Sequence, residues 1–396
     1  MSEKATHARY RLLRRGDPAP WFRQRSASNP AFAFDTIAGR WVVLCFFVTA
    51  GDRTGKEALR LIDEQRDLFD DHNACFFGVS LDPADEAKKR VRQRLPGIRI
   101  FWDFDGEVSR AFGVIPADAP SGATAIDAQR MWFILDPMLR VRAGIPFERE
   151  DGGRARVAAE LARLPPVASY TGLEAHPPIL VLPDVFEPEF CRGLIELYEH
   201  HGGKESGFMR EIGGKTVSVR DHAHKRRSDY VIEDEAVIVE SRTRIRRRIT
   251  PEIRKAHQFE ATRMERYIVA CYEAEARGHF RAHRDNMTKG TAHRRFAVSI
   301  NLNDAFEGGE LMFPEFGPRR YKMPTGCAVV FSCSLLHQVT PVTSGRRFAF
   351  LPFLYDDAAA KLREANNAFL DERVGSYKTT KPAKAEQPPK REDAKS

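Results

Sequence analysis

The residues Trp41-Val42-Val43-Leu44-Cys45-Phe46-Phe47-Val48 form an unbroken apolar run, the pattern of a strand covered on both faces. Gly51 to Gly55 interrupt it. From Lys56 to Phe69 apolar residues return at helical spacing, at Ala58, Leu59, Leu61, Ile62, Leu68 and Phe69. A second buried run, Ala74 to Leu81, precedes a charged helix expected over 84–94. Short strands follow at Ile98 to Trp102 and Met131 to Leu135. Buried strands alternating with helices predict an α/β sandwich over the first part of the chain.

Pro165-Pro166 and the stretch to Pro177-Pro178 mark a boundary. Beyond it Ile179 to Val185 leads into an amphipathic helix, Pro188 to His200, and a further helix is expected near 250–266. From about 267 the texture changes to short strands with turn signals, over 267–273, 279–284, 296–302, 309–313, 327–332 and 347–354. That succession predicts an antiparallel sandwich or jelly roll. From Gly375 the chain is rich in Lys and Pro, the composition of a disordered tail. The expected organisation is therefore an α/β domain over 1–168, a linker over 169–177, a β-rich domain with flanking helices over 178–374 and a tail over 375–396.

Composition narrows the function classes. A chain of 396 residues suits two domains, and 42% hydrophobic with 30% charged residues excludes global disorder. The formal net charge of +8 is a mild basic bias spread over a large chain, short of the concentrated charge of a dedicated nucleic-acid binder. The basic run Arg242 to Arg248 reads as a solvated helix face, because Ile245 and Ile249 keep helical spacing and no aromatic residue interleaves for base stacking. Nucleic acid is not an expected partner. Six cysteines (45, 75, 191, 271, 327 and 333) include no CxxC pair, which excludes a disulfide scaffold, a Cys-rich zinc module and a dithiol redox centre. No stretch is apolar for the roughly 18 residues a membrane helix needs. The N-terminus carries no apolar secretory segment, so a cytoplasmic setting is expected.

Candidate chemistry centres on His283-Arg284-Asp285. On a strand, positions two apart share a face, so this imidazole and carboxylate can converge. His337 opens another strand-like stretch and could supply a third ligand. Two His and one carboxylate leave open positions of the kind used by non-haem Fe(II) oxygenases. Arg346 and Arg347, nine and ten residues after His337, offer a guanidinium for a carboxylate. They face opposite ways on a strand, and periodicity alone does not choose between them. Asp221-His222-Ala223-His224 is a second potential metal cluster. It lies in an Arg-rich stretch without a partner at suitable spacing and is expected to be a loop near the site's mouth. His279 stands four before His283, but Gly278 and the strand pattern oppose a helical metal pair.

These residues sit among longer matches: Tyr272, Gly278-His279-Phe280, His283 and Asp285; Ser299-Ile300-Asn301-Leu302-Asn303; Glu307-Gly308-Gly309-Glu310-Leu311; and His337 through Arg347. Together, over roughly 178–357, they resemble the prolyl 4-hydroxylase-like branch of the 2-oxoglutarate/Fe(II) dioxygenases. The resemblance implies a double-stranded β-helix (jelly roll) in which His283, Asp285 and His337 bind Fe(II). It implies that Arg347 binds 2-oxoglutarate with Tyr272 on the same carboxylate, and that the Gly308-Gly309-Glu310 turn is structural. Its implied activity is the hydroxylation of an unactivated C–H bond at the expense of O2 and 2-oxoglutarate, with L-ascorbate a reductant used by members. The substrate stays open between a peptidyl proline, another side chain and a small molecule.

The first domain has its own resemblance. Gly16-Asp17-Pro18-Ala19-Pro20-Trp21-Phe22, the run Trp41 to Phe47, the strand ending Gly78 to Pro83, and Met131 to Pro137 are similar to a peroxiredoxin of the AhpC/TSA type, implying a thioredoxin-like fold over about 10–165. Gly55 falls where the peroxidatic Cys would lie, and no Cys occurs between 45 and 75. Peroxidase activity of the usual type is not expected, unless Cys45 or Cys75 is recruited. A scaffold, a docking surface or a substrate-recruiting module remains for this domain. The alternative for the whole chain is a partner-binding protein, or a sensor of iron or oxygen, built on the same parts.

Overall fold

A computed structural model of the chain describes residues 10–118, 127–147 and 151–378. The expected tail lies outside these residues from 379 onward. The chain divides into two compact units: one runs to Pro177 and includes Phe313–Arg319, and the other comprises Pro178–Met312 and the residues from Arg320 on.

The first unit is built on β1 (Trp41–Val48), β2 (Ala74–Ser80), β3 (Ile98–Trp102), β4 (Met131–Leu135) and β5 (Val141–Pro146). They form one sheet in the order β3-β2-β1-β4-β5, with the first three parallel and β4 and β5 antiparallel. The continuous apolar runs are the central strands, as expected for strands covered on both faces. Val43, Cys45 and Phe47 pack with Ala58, Leu61 and Ile62 on one side. This is a thioredoxin-like α/β unit. Two helices are shorter than their patterns predicted. The 56–69 pattern divides into helices Arg53–Leu59 and Leu61–Glu64 and a short turn. The 84–94 helix ends at Ala87, where Lys89 turns to φ 52 and Arg90 folds back onto Asp82 and Asp85.

In the second unit α1 (Pro188–His201), α2 (Glu235–Arg248) and α3 (Thr250–His257) accompany a β-rich body. The helix expected to 266 stops at His257 because Gln258 adopts the left-handed conformation. The chain then runs on to the short strand Arg263–Glu265. The body's strands are β6 (Ser228–Val231), β7 (Ile268–Glu273), β8 (His279–His283), β9 (Phe296–Asn301), β10 (Ala328–Ser332), β11 (His337–Val339), β12 (Val342–Phe350) and β13 (Phe353–Tyr355). The larger sheet runs Arg263–Glu265, β13, β9, β12, β7, β6, Lys204–Glu205, with β10 also on β9. The smaller runs Lys225–Arg226, β8, β11, Leu311–Met312, Arg320–Tyr321. Two antiparallel sheets with this order make a jelly roll.

Alternation along the larger sheet separates core from site. Val269, Cys271, Val298, Ile300, Phe348 and Phe350 join one apolar cluster with Cys191, Leu194 and Tyr198 of α1 and with Ile245, Ile249 and Ile253. Their neighbours Tyr272, Ser299, Asn301 and Arg347 therefore point to the opposite face, where they are buried as polar residues.

Candidate metal centre

His283 closes β8 and His337 opens β11, and the two are directly paired across the antiparallel ladder. Between Phe280 and His283 the register shifts by a bulge, which places two rings three residues apart on one side. They stack with centroids 3.5 Å apart. Asp285 lies just beyond the end of β8, and its backbone N–H donates to Cys333 O at 2.9 Å. The carboxylate thereby reaches both imidazoles: Oδ1 is 3.5 Å from His283 Nε2 and Oδ2 is 3.3 Å from His337 Nε2. The ligand atoms of the three lie within 4.8 Å of one another.

The protons are arranged for metal binding. Nδ1 of His283 lies 2.8 Å from Arg281 O, and Nδ1 of His337 lies 3.0 Å from Leu335 O. A carbonyl only accepts, so each Nδ1 carries the proton and each Nε2 presents its lone pair. Burial, with His283 nearby, pushes His337 down to about 4 against the pull of Asp285, so it stays neutral at neutral pH. Asp285 is held well below the ordinary carboxylate range. Burial opposes this, but His337, His283 and Arg294 outweigh it. Two imidazoles presenting Nε2 and one carboxylate are a donor set suited to a divalent first-row metal with open positions.

Arg347 lies opposite Tyr272 in the β7/β12 ladder. It is 3% exposed. Its Nε and Nη2 donate to Asn301 Oδ1 at 3.2 and 3.1 Å, and Nη2 also to Ser299 Oγ at 3.0 Å. Nη1 is buried without a hydrogen-bond partner. An orphaned donor on a buried guanidinium held by neutral acceptors fits an external carboxylate. Arg346 is on the helix side, ion-paired with Glu199 of α1 at 2.7 Å and half-exposed. Tyr272 is 1% exposed, and Arg227 Nη1 donates to its hydroxyl at 3.3 Å.

Residues 267–355 match the family described as the 2OG-Fe(II) oxygenase superfamily, and residues 15–143 match the AhpC/TSA family. Most of the first matched segment lies in the second unit, and the other lies in the first. A curated PKHD-type hydroxylase from Hyphomonas neptunium is 37% identical over 95 residues, which are 22% of this chain and 41% of that protein. The chain spans less than half the length of the curated relatives it matches. Among solved structures, a Pseudomonas putida prolyl-4-hydroxylase aligns over 51% of this chain and 98% of its own, with 18% identity and TM-score 0.33. The bacterioferritin comigratory protein of Xanthomonas campestris aligns over 38% and 96%, with 22% identity and TM-score 0.30.

The other candidates from the sequence do not join the three-residue cluster, although His224 comes near it. His222 Nε2 is 2.6 Å from Glu205 Oε1. His224 packs against Phe208, with ring centroids 4.4 Å apart, and its ring centroid is 6.4 Å from that of His283. His279 Nδ1 lies against Arg277 O. Sequence reasoning missed the roles of Ser299 and Asn301 as acceptors for Arg347, though polar residues alternating with Val298 and Ile300 were the available signal. It also missed Arg227, whose fork meets both oxygens of Asp229 at 2.6 and 2.7 Å, both residues being buried.

In the AhpC/TSA segment, Asp52 caps the helix after β1 by accepting from Gly55 N at 2.8 Å, and pairs with Arg130. A Cβ at Gly55 would meet Thr49 O at 1.9 Å, so this backbone leaves no room for a cysteine there. Cys45 and Cys75 are fully buried. Burial pushes the Cys45 thiol well above its ordinary value and that of Cys75 up to about 12, far from the thiolate a nucleophile needs.

Proposed function

We propose that the chain is an Fe(II)- and 2-oxoglutarate-dependent dioxygenase that hydroxylates a C–H bond of its substrate, with His283, Asp285 and His337 as the iron ligands. The observation that carries this reading is the pairing of two features in one unit. Three ligand atoms converge with both Nε2 lone pairs presented, and a buried guanidinium keeps one donor unpaired. Bound Fe(II) would supply the redox centre at which O2 and 2-oxoglutarate are converted to succinate, CO2 and a hydroxylated product. The protein's own part is positioning. The carbonyls of Arg281 and Leu335 fix the tautomers and ring planes of the histidines. Ser299 and Asn301 hold Arg347 ready, and Arg347 with Tyr272 would bind the far carboxylate of 2-oxoglutarate.

The first unit serves in this reading as a scaffold or recruiting module rather than a peroxidase. Similarity to PKHD-type hydroxylases, with the resemblance to the prolyl 4-hydroxylase-like branch, favours a side chain such as a peptidyl proline among candidate substrates, and ascorbate would keep the iron reduced. Among the described residues, no helix is long and apolar enough to cross a membrane. The test is succinate formation from 2-oxoglutarate by the purified full chain with Fe(II) and ascorbate. The reading expects formation that stops on chelation and falls at least about a thousandfold in Asp285→Ala. Equal rates in both proteins would refute it.

A further inference from the structure

Lys225 is another buried cation near the same centre, and none of the described carboxylates forms an ion pair with it. It is 4% exposed. Its Nζ donates to Gly207 O at 2.6 Å and stands 5.0 Å from the centroid of the Phe280 ring. Lys225 and Phe280 are directly opposed across the short ladder to β8, and Phe280 stacks on His283. Phe280 therefore contacts both the ammonium group and a metal-centre imidazole.

The contrast with its neighbours is chemical. Two residues on, Arg227 is neutralised by both oxygens of Asp229. Lys225 has one neutral carbonyl, and Asp229 and Asp285 act on it only from a distance; burial pushes its pKa well down, and a carboxylate placed beside Nζ would restore the ammonium form. An ammonium desolvated in this way costs several kcal/mol unless an anion accompanies it. Arg347 lies on the other sheet and already answers to the carboxylate of 2-oxoglutarate. The surroundings of Lys225 are aromatic and basic. Phe208, His224 and Phe280 lie in mutual ring contact, and Arg210 and Arg281 act on His224 with Asp221 opposing them.

Resting on the dioxygenase reading, we infer that Lys225 binds a carboxylate of the substrate. The substrate is thus an organic acid, either a free amino acid or an acidic side chain of a peptide, that lies along the Phe280 ring with its reacting C–H at the metal centre.

The test measures succinate formation by the Fe(II)-loaded full chain with free L-amino acids and their α-amides. Blocked peptides carrying Asp or Glu are compared with the same peptides carrying Asn or Gln. The acids are expected to stimulate about tenfold or more over their amides. A response to free amino acids assigns a small molecule, and one to peptides assigns a protein. Lys225→Met, which keeps the aliphatic stem, should erase the preference and Lys225→Arg should keep part of it. In the metal-free chain the responding acid should raise the melting temperature and its amide should not. The wild-type preference needs no variant, so a poorly folded Lys225→Met does not blunt the test. The assignment is overturned if amides match acids, if no compound of the panel stimulates, or if Lys225→Met keeps the preference while its KM for 2-oxoglutarate rises. Absence of any succinate from the wild type strikes the dioxygenase reading itself, and Lys225 with it.

Discussion

Arg347 and Arg346 are adjacent in sequence and opposite in circumstance. The inward guanidinium rests on Ser299 and Asn301 with Nη1 free, while the outward one is committed to Glu199. Arg347→Gln should therefore weaken 2-oxoglutarate binding by roughly 10- to 100-fold, the worth of about 1.5–3 kcal/mol for charge-assisted bonds. Arg346→Gln should leave it unchanged, as read by calorimetric titration of 2-oxoglutarate. The buried pair Arg227–Asp229 belongs at the same scale. Burial raises the Asp229 pKa, but Arg227, Arg266 and Lys225 outweigh it and bring it down from 3.8 to about 2. A depressed carboxyl stabilises the fold above its unfolded pKa, so this contribution is present above about pH 4 and is lost as pH falls towards 2. Asp229→Asn leaves Arg227 unpaired and should cost about 3–5 kcal/mol at neutral pH. It should also flatten the stability profile between pH 4 and 2, as measured by denaturant unfolding.

At the scale of elements, the site depends on departures from regularity. The bulge before His283 puts Phe280 and His283 side by side, and the strand ends so that Asp285 can turn back to both histidines. The sequence paired His283 with Asp285 at i, i+2 on one strand, whereas the strand ends at His283 and Asp285 lies beyond it; the bulge left no mark, because a register shift depends on the partner strand. Inward and outward faces were legible wherever strands alternate, as along Val298 to Asn301. Helix ends were less so. Gln258 and Lys89 stop their helices by adopting positive φ, which residues other than Gly do not announce. Gly278 shows what the elements tolerate. A Cβ there would meet Tyr272 Cα at 2.8 Å and Glu273 N at 2.7 Å, both backbone atoms. Gly278→Ala should lower the melting temperature, at a cost of about 1–3 kcal/mol, and weaken 2-oxoglutarate binding by displacing Tyr272.

For the whole molecule, two folds contribute unequally to chemistry. The first unit keeps a thioredoxin-like sheet, but Asp52 and Arg130 pair at the helix that follows β1, and its cysteines are buried in strands. The full chain should not consume hydroperoxide with a thiol reductant. Gly55→Cys should not restore consumption, because Thr49 O occupies the space its Cβ requires. The missing cysteine was visible in the sequence; the backbone that closes its place was not. The proposed chemistry belongs to the second unit, as one metal centre that would bind 2-oxoglutarate. The most direct measurement is an anaerobic titration of the Fe(II)-loaded chain with 2-oxoglutarate, followed by the visible charge-transfer absorption of the chelate. A saturable band at one equivalent, absent in Asp285→Ala and requiring far more 2-oxoglutarate in Arg347→Gln, is the predicted result. No band in the wild type, or the same band in Asp285→Ala, would contradict the account.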